Sequence, residues 1–216
     1  MLTRRLPYLL LIPVIVLAVF AYTSTTEATS CSSVVTNSDR EHKQALQQHE
    51  PGTDAYFSAL YAIEDALFDA MKNKCPNNSA VVSTMGELQI SLGQIPIAQL
   101  YAKKALEMDT KNWQAHYVLG SALNLQKKYT EGLQHLQQAS ELQPDNHSLL
   151  VNLCSSYEKN KQYNEAIEAC STAIEEGPYD IRGTAHFLRA QAYKGTNEIT
   201  LAERDIELAK EFGFKQ

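Results

Sequence analysis

The sequence predicts an all-α array of stacked helical hairpins, and three columns of small residues kept in step carry that expectation. Ala98, Gly132, Ala166 and Ala202 recur at spacings of 34, 34 and 36 residues. Ala105, Ala139, Ala173 and Ala209 keep the same spacing, as do Gly86, Gly120, Cys154 and Ala190. A fixed period in this range marks a repeat architecture. Between the columns, apolar residues recur every three or four positions, so each period holds two amphipathic helices. Each helix is only two to three turns long and cannot bury its apolar face alone, so neighbouring units must stack.

In chain order, residues 1–22 read as a signal peptide or an N-terminal membrane anchor. Two arginines within residues 1–5 precede 17 uncharged residues, 6–22. That length lies between the apolar core of a cleaved leader, about 7–15 residues, and the roughly 20 of a spanning helix. Either reading exports the rest of the chain with the arginines left inside; retention at the membrane is favoured. Residues 23–38, rich in Ser and Thr, are expected to form a flexible tether.

Residues 39–78 read as a degenerate leading hairpin. Its second helix carries Phe57, Leu60, Tyr61, Leu67, Phe68 and Met71 at helical spacing, interrupted by Glu64. Repeat units are placed at 79–112, 113–146, 147–180 and 183–216, with Ile181 and Arg182 lengthening the third junction. Within the second unit, Leu119, Gly120 and Leu123 form one stripe, and Gly132, Leu136 and Ala139 the other. Small residues where the two helices cross permit close contact, while Pro144 and Pro178 end the second helices of their units. The last helix reads as a solvated cap: Glu203 stands where inner units carry Leu133 and Ile167, and Lys210 where they carry Leu106 and Ile174. Glu203 and Asp205 are accordingly expected on solvated faces, while Leu201, Leu208 and Phe212 leave an apolar line there.

This pattern resembles the tetratricopeptide repeat family through Leu119, Gly120, Leu123, Tyr129, Gly132, Leu136, Ala139 and Pro144. The next unit repeats it in Leu153, Cys154, Tyr157, Tyr163, Ala166, Cys170, Ala173 and Pro178. The resemblance implies a right-handed superhelical solenoid of four such repeats, the last a cap. The chain departs from the pattern at Gln89, where an aromatic is usual, at Thr110, where a proline is common, and at Arg189, in an apolar column.

Four cysteines in an exported chain point to disulfides. Cys154 and Cys170 lie on the two helices of one hairpin, nearly equidistant from its turn and both in core-facing columns, so a bridge between them is expected. Cys31 and Cys75 are the remaining pair. Neither a metal site nor a cofactor is expected, because no paired Cys/His ligand spacing and no phosphate-binding glycine loop occurs. Catalytic motifs are likewise missing, so the chain does not read as an enzyme. Without Arg4, Arg5 and Glu27 the chain holds 17 basic and 24 acidic residues; a net charge near −7 argues against nucleic acid and anionic lipid as partners of the domain. Contact with the membrane is assigned to residues 6–22 alone.

In the family this chain resembles, the first helix of each unit lines a concave groove that holds a peptide or a partner's helix. The resemblance places Tyr117, Ser121, Asn124, Leu125, Val151, Ser155, Lys159, Phe187, Gln191 and Lys194 on that face. Ser83 and Glu87 occupy the first positions of the lysine/asparagine clamp by which some members hold acidic C-termini, so that clamp is not reproduced. The expected function is a non-catalytic adaptor, exported and tethered at an inner membrane facing the periplasm, or periplasmic or secreted if the leader is cleaved. It would hold a protein or peptide client during assembly of an envelope complex, as bacterial relatives do in pilus, secretion or cytochrome c biogenesis. The alternative is an architectural protein that self-associates through Leu201, Leu208 and Phe212.

Overall fold

Short capping residues and left-handed turn residues divide the chain into helices at regular intervals. The computed structural model describes residues 31–214; the leader expected over 1–22 and the first part of the tether lie outside the described residues. Ten α-helices occur among them: α1 Cys31–Gln48, α2 Asp54–Asp69, α3 Ser79–Ser91, α4 Ile95–Met108, α5 Trp113–Leu125, α6 Tyr129–Leu142, α7 His147–Lys159, α8 Tyr163–Glu176, α9 Tyr179–Gly195 and α10 Ile199–Glu211. A π-helical turn, Ala70–Lys74, extends α2. None of the described helices is long and apolar enough to cross a membrane. Three helices begin on a side-chain cap: Thr53 accepts from the Tyr56 amide, Asn78 from Val81 and Asn112 from Ala115, each satisfying an orphan N–H of a first turn.

The turn inside each repeat hairpin is built the same way four times. Gly93, Lys127, Lys161 and Asn197 hold positive φ between 62° and 74°. The following amide reaches back five residues to a carbonyl of the first helix, as from Lys128 to Leu123 and from Gln162 to Tyr157. This closure satisfies carbonyls that a helix end leaves orphaned. It turns the chain back on itself, so α3 packs on α4, α5 on α6, α7 on α8 and α9 on α10. Successive hairpins stack through α4 on α5, α6 on α7 and α8 on α9, giving the all-α solenoid of helical hairpins expected of the sequence.

Close approach at the small-residue crossings sets the hairpin geometry. A β-carbon on Gly120 would lie 2.8 Å from the Gly132 carbonyl oxygen and from Leu136 Cγ; one on Gly132 would collide with the Asn124 amide oxygen. At Gly86 the nearest atoms are 3.1 Å or more away, led by Val118 Cγ1, with the Ala98 carbonyl oxygen at 3.3 Å. Ala98, Ala102, Ala105, Ala139, Ala166, Ala173, Ala202 and Ala209 are all buried along the same columns.

Where the repeat pattern lapses, the odd residues find one another. Gln89 is 1% exposed, and its amide donates to Glu64 at 2.8 Å, which accounts for both the missing aromatic and the interrupted stripe. Arg189 bonds Asp205 through Nε at 2.7 Å and Nη2 at 2.9 Å, and His186 Nδ1 lies 2.9 Å from the same carboxylate. Arg189 also donates to Ser171 of α8, tying the last hairpin to its neighbour. Asp205 is therefore not on a solvated face as expected: it is 2% exposed, while Glu203 is exposed. Two further expectations are corrected. Residues 31–38 are not tether but the first two turns of α1, with Ser38 buried. Ile181 and Arg182 do not lengthen a junction loop, because α9 starts at Tyr179 and Arg182 bonds the Gly177 carbonyl that α8 leaves exposed.

Both cysteine pairs are bridged, Cys154 to Cys170 with 5.3 Å between α-carbons and Cys31 to Cys75 with 5.8 Å. The first closes the third hairpin inside its core. The second pins the start of α1 to the end of the π-helical turn. In the chain-entropy model they are worth about 3 and about 4 kcal/mol.

Gly120→Ala is expected to destabilise by about 1–3 kcal/mol in urea denaturation, because backbone atoms cannot yield. Gly86→Ala should be near neutral, since gained helix propensity of about 1 kcal/mol offsets a mild clash. Burial pushes the Asp205 carboxyl up, but hydrogen bonds from Arg189 and His186 outweigh it and hold it below its ordinary value. A depressed carboxylate stabilises above its unfolded pKa of about 3.9 and stops doing so as pH falls through its lower folded value. Hydrogen exchange should therefore show α9 and α10 loosening below about pH 4. Asp205→Asn should do the same at pH 7, at a cost of about 3 kcal/mol.

Candidate functional site

The first helices of the hairpins lie side by side, with α3 against α1 and α5, and α7 against α9. Position by position they form rows: Ser83, Tyr117, Val151 and Phe187 in one, Glu87, Ser121, Ser155 and Gln191 in the next. The third row is Ile90, Asn124, Glu158 and Lys194.

Hydrogen bonds stitch these rows together across repeat boundaries. Gln114 of α5 donates to Glu87 of α3 at 2.7 Å, and its amide oxygen lies 3.0 Å from Ser83 Oγ and 3.3 Å from Thr84 Oγ1. Asn112 donates to Ser83 at 3.3 Å, and Asn124 of α5 donates to Ser156 of α7 at 3.1 Å. Burial pushes the Glu87 carboxyl above its ordinary value, only partly offset by Gln114 and by the charge of Lys43. Burial and the Glu87 carboxylate together push the Tyr117 phenol up to about 12, against the opposing influence of Ser121 and Asn152.

The residues assigned to the binding face divide into three groups. Leu125 is the open one, 59% exposed at the end of α5; Lys194 is exposed in the last turn of α9. Ser121, Ser155 and Gln191 are half-buried. The remainder are engaged within the chain. Tyr117 packs against the core around Leu133, Leu153 and Cys154 and also against the core around Val118 and Ala98. Val151 packs on the former, and Asn124 holds Ser156. Lys159 pairs with the neighbouring Glu158 at 2.9 Å. Phe187 stacks on Phe214 from the C-terminal segment, with ring centroids 4.5 Å apart.

Ser83 lies beneath the face, fully buried. On the end face Leu201 is exposed, but Phe212 packs against Tyr179 and His186. Sequence reasoning missed Gln114 as the centre of the polar ladder; its signal was a polar residue one position into the α5 stripe. Among the described residues no group of three or more His, Cys, Asp or Glu side chains could hold a metal ion.

Comparison with known proteins converges on one fold. Two family profiles described as tetratricopeptide repeat match residues 84–147 and 123–192. A curated relative, the DnaJ homolog subfamily C member 3 homolog of Dictyostelium discoideum, is 27% identical over 152 residues; the match covers 63% of this chain and 30% of that protein's length. A crystal structure of MamA is 25% identical with a TM-score of 0.59, covering 72% of this chain and 89% of its own. MamA from Desulfovibrio magneticus RS-1 is 17% identical with a TM-score of 0.60 over 83% and 94%. YrrB, described as a TPR protein with an unusual peptide-binding site, is 15% identical with a TM-score of 0.58 over 80% and 92%.

Tyr117 and Leu125 should separate under mutation. Tyr117→Ala opens both cores it touches and is expected to cost about 3 kcal/mol by thermal denaturation. Leu125→Asp, an exposed change, should stay within about 0.5 kcal/mol of wild type.

Proposed function

The chain belongs to the tetratricopeptide repeat family, and on that premise we propose that it is an adaptor holding a client peptide or helix in the groove lined by α3, α5, α7 and α9. Tetratricopeptide arrays bind protein or peptide partners; the specific role proposed here is assembly of an envelope complex by an exported chain tethered through residues 6–22. The pilus, secretion and cytochrome c biogenesis systems supply the class of client. The two disulfides support export, since such bonds persist in oxidising compartments.

The observation that carries the groove reading is the polar ladder. Gln114–Glu87 and Asn124–Ser156 cross repeat boundaries, so the face is held rigid before any client arrives. A surface ordered in advance does not lose that freedom again on binding. On it, Leu125 offers an exposed apolar anchor, with Ser155 and Gln191 as half-open polar partners. The ladder also supplies a carboxylate, Glu87, where the clamp for acidic C-termini would need a cation, so a client with an acidic tail is disfavoured. The end-face alternative is weakened by Phe212, whose ring is engaged inside its own hairpin.

A photo-crosslinking amino acid at position 125, in the full-length protein in its native cell, tests the proposal. A discrete adduct that disappears when the probe sits at the exposed Gln138 of α6 is the expected result. Crosslinks from both positions alike, or from Leu201 to a second copy with none from 125, would overturn it.

A further inference from the structure

Two histidines that are 19 residues apart in sequence meet nitrogen to nitrogen in the second repeat. His116 of α5 and His135 of α6 bring their Nδ1 atoms to 3.1 Å, with ring centroids 5.3 Å apart. Both rings are half-buried. The other nitrogen of His116 lies 3.2 Å from the Thr110 carbonyl oxygen. A carbonyl can only accept, so His116 carries its proton on Nε2 and presents a bare lone pair at Nδ1. His135 fills that lone pair by donating its own Nδ1 proton. Burial and the neighbouring His116 lower the pKa of its ring, with Lys103 adding to the effect and Glu131 opposing it.

We propose that this pair is a metal site, in which a borderline divalent cation of the Zn2+ class takes the place of the hydrogen bond between the rings and is held by Nδ1 of His116 and Nδ1 of His135. Three features of the arrangement support it. First, imidazole nitrogens bind zinc at about 2.0–2.1 Å, so two of them 3.1 Å apart subtend an angle near 98° at the ion. Opening to a tetrahedral angle takes about 0.3 Å of further separation, within reach of small ring movements. Second, a metal-bound histidine usually donates its other N–H to a carbonyl or carboxylate, which fixes the tautomer and orients the ring. The Thr110 carbonyl already does this for His116. Third, the rings project from opposite helices of one hairpin, and Thr110 belongs to the loop that follows α4. An ion there clasps α5 to α6 beside the preceding repeat, with water completing its coordination.

To free its Nδ1 for the ion, neutral His135 changes tautomer: the Nδ1 proton leaves to solvent and Nε2 takes one up, so the ring stays neutral and no net proton is released. Because the ion binds only the folded hairpin, it stabilises the protein as its concentration rises above the dissociation constant.

The test is a Zn2+ titration of metal-stripped full-length protein against a chromophoric chelator, together with ring-nitrogen NMR. One Zn2+ per chain, coordinated at Nδ1 of both histidines, is expected. His116→Gln and His135→Gln should each weaken it by roughly tenfold or more, and the double variant should lose little beyond either single one. His42→Gln and His147→Gln should bind as wild type does, with circular dichroism confirming helicity in all variants. Zinc affinity unchanged in the double variant would overturn the proposal, as would coordination at Nε2 or a wild type that binds no better than the double variant.

Discussion

The distance between the two helices of a hairpin governs this structure. Where Gly120 faces Gly132 there is no room for a methyl group, and the Leu136 side chain and Asn124 amide fill the space that β-carbons would take. That approach lets α5 and α6 bury their stripes against each other while leaving other faces free for neighbouring hairpins. The alanine columns do the same work elsewhere, and the left-handed residue in each turn sets the geometry from which the second helix departs. Stability then propagates from unit to unit, because no hairpin of this size encloses a core of its own.

Most polar residues inside such an array stand where they find partners, since an unpaired buried group is costly. Glu64 and Gln89 occupy apolar columns in different hairpins and bond to each other. Arg189, His186 and Asp205 form a second set in the last hairpin, reaching Ser171 in the one before. Both sets lie toward the ends of the array, where repeats depart furthest from one another. A terminal unit has one neighbour instead of two, and specific ionic and amide contacts hold it where apolar burial is reduced.

The same economy shapes the binding face. Many of its polar side chains are already engaged: Gln114 with Glu87, Asn124 with Ser156, Lys159 with Glu158. What is left for a client is narrower than a row of first-helix residues suggests. In the proposed adaptor, Leu125 would supply the apolar contact and the half-buried Ser155 and Gln191 the hydrogen bonds, on a backbone braced by the ladder. The disulfide between Cys154 and Cys170 stiffens the hairpin next to Leu125 from within. On the proposed reading the array presents a preformed surface, and recognition would fall to a few residues on it.

Sequence by itself determined the helical period, the pairing of helices into hairpins and the Cys154–Cys170 bridge. Each is a local property: spacing along one helix, or symmetry about one turn. The tertiary structure alone decided which polar residues meet. Asp205 looks solvated in a sequence because the charged Glu203 and Arg204 precede it, and only packing shows Arg189 and His186 closing over it. Tyr117 likewise looks like a groove residue until its two cores are seen, and His116 and His135 look scattered until α5 and α6 are folded together. The division is physical. A periodic pattern repeats its information in every unit and survives local noise, whereas a single contact between distant residues occurs once and depends on backbone placement to within an ångström.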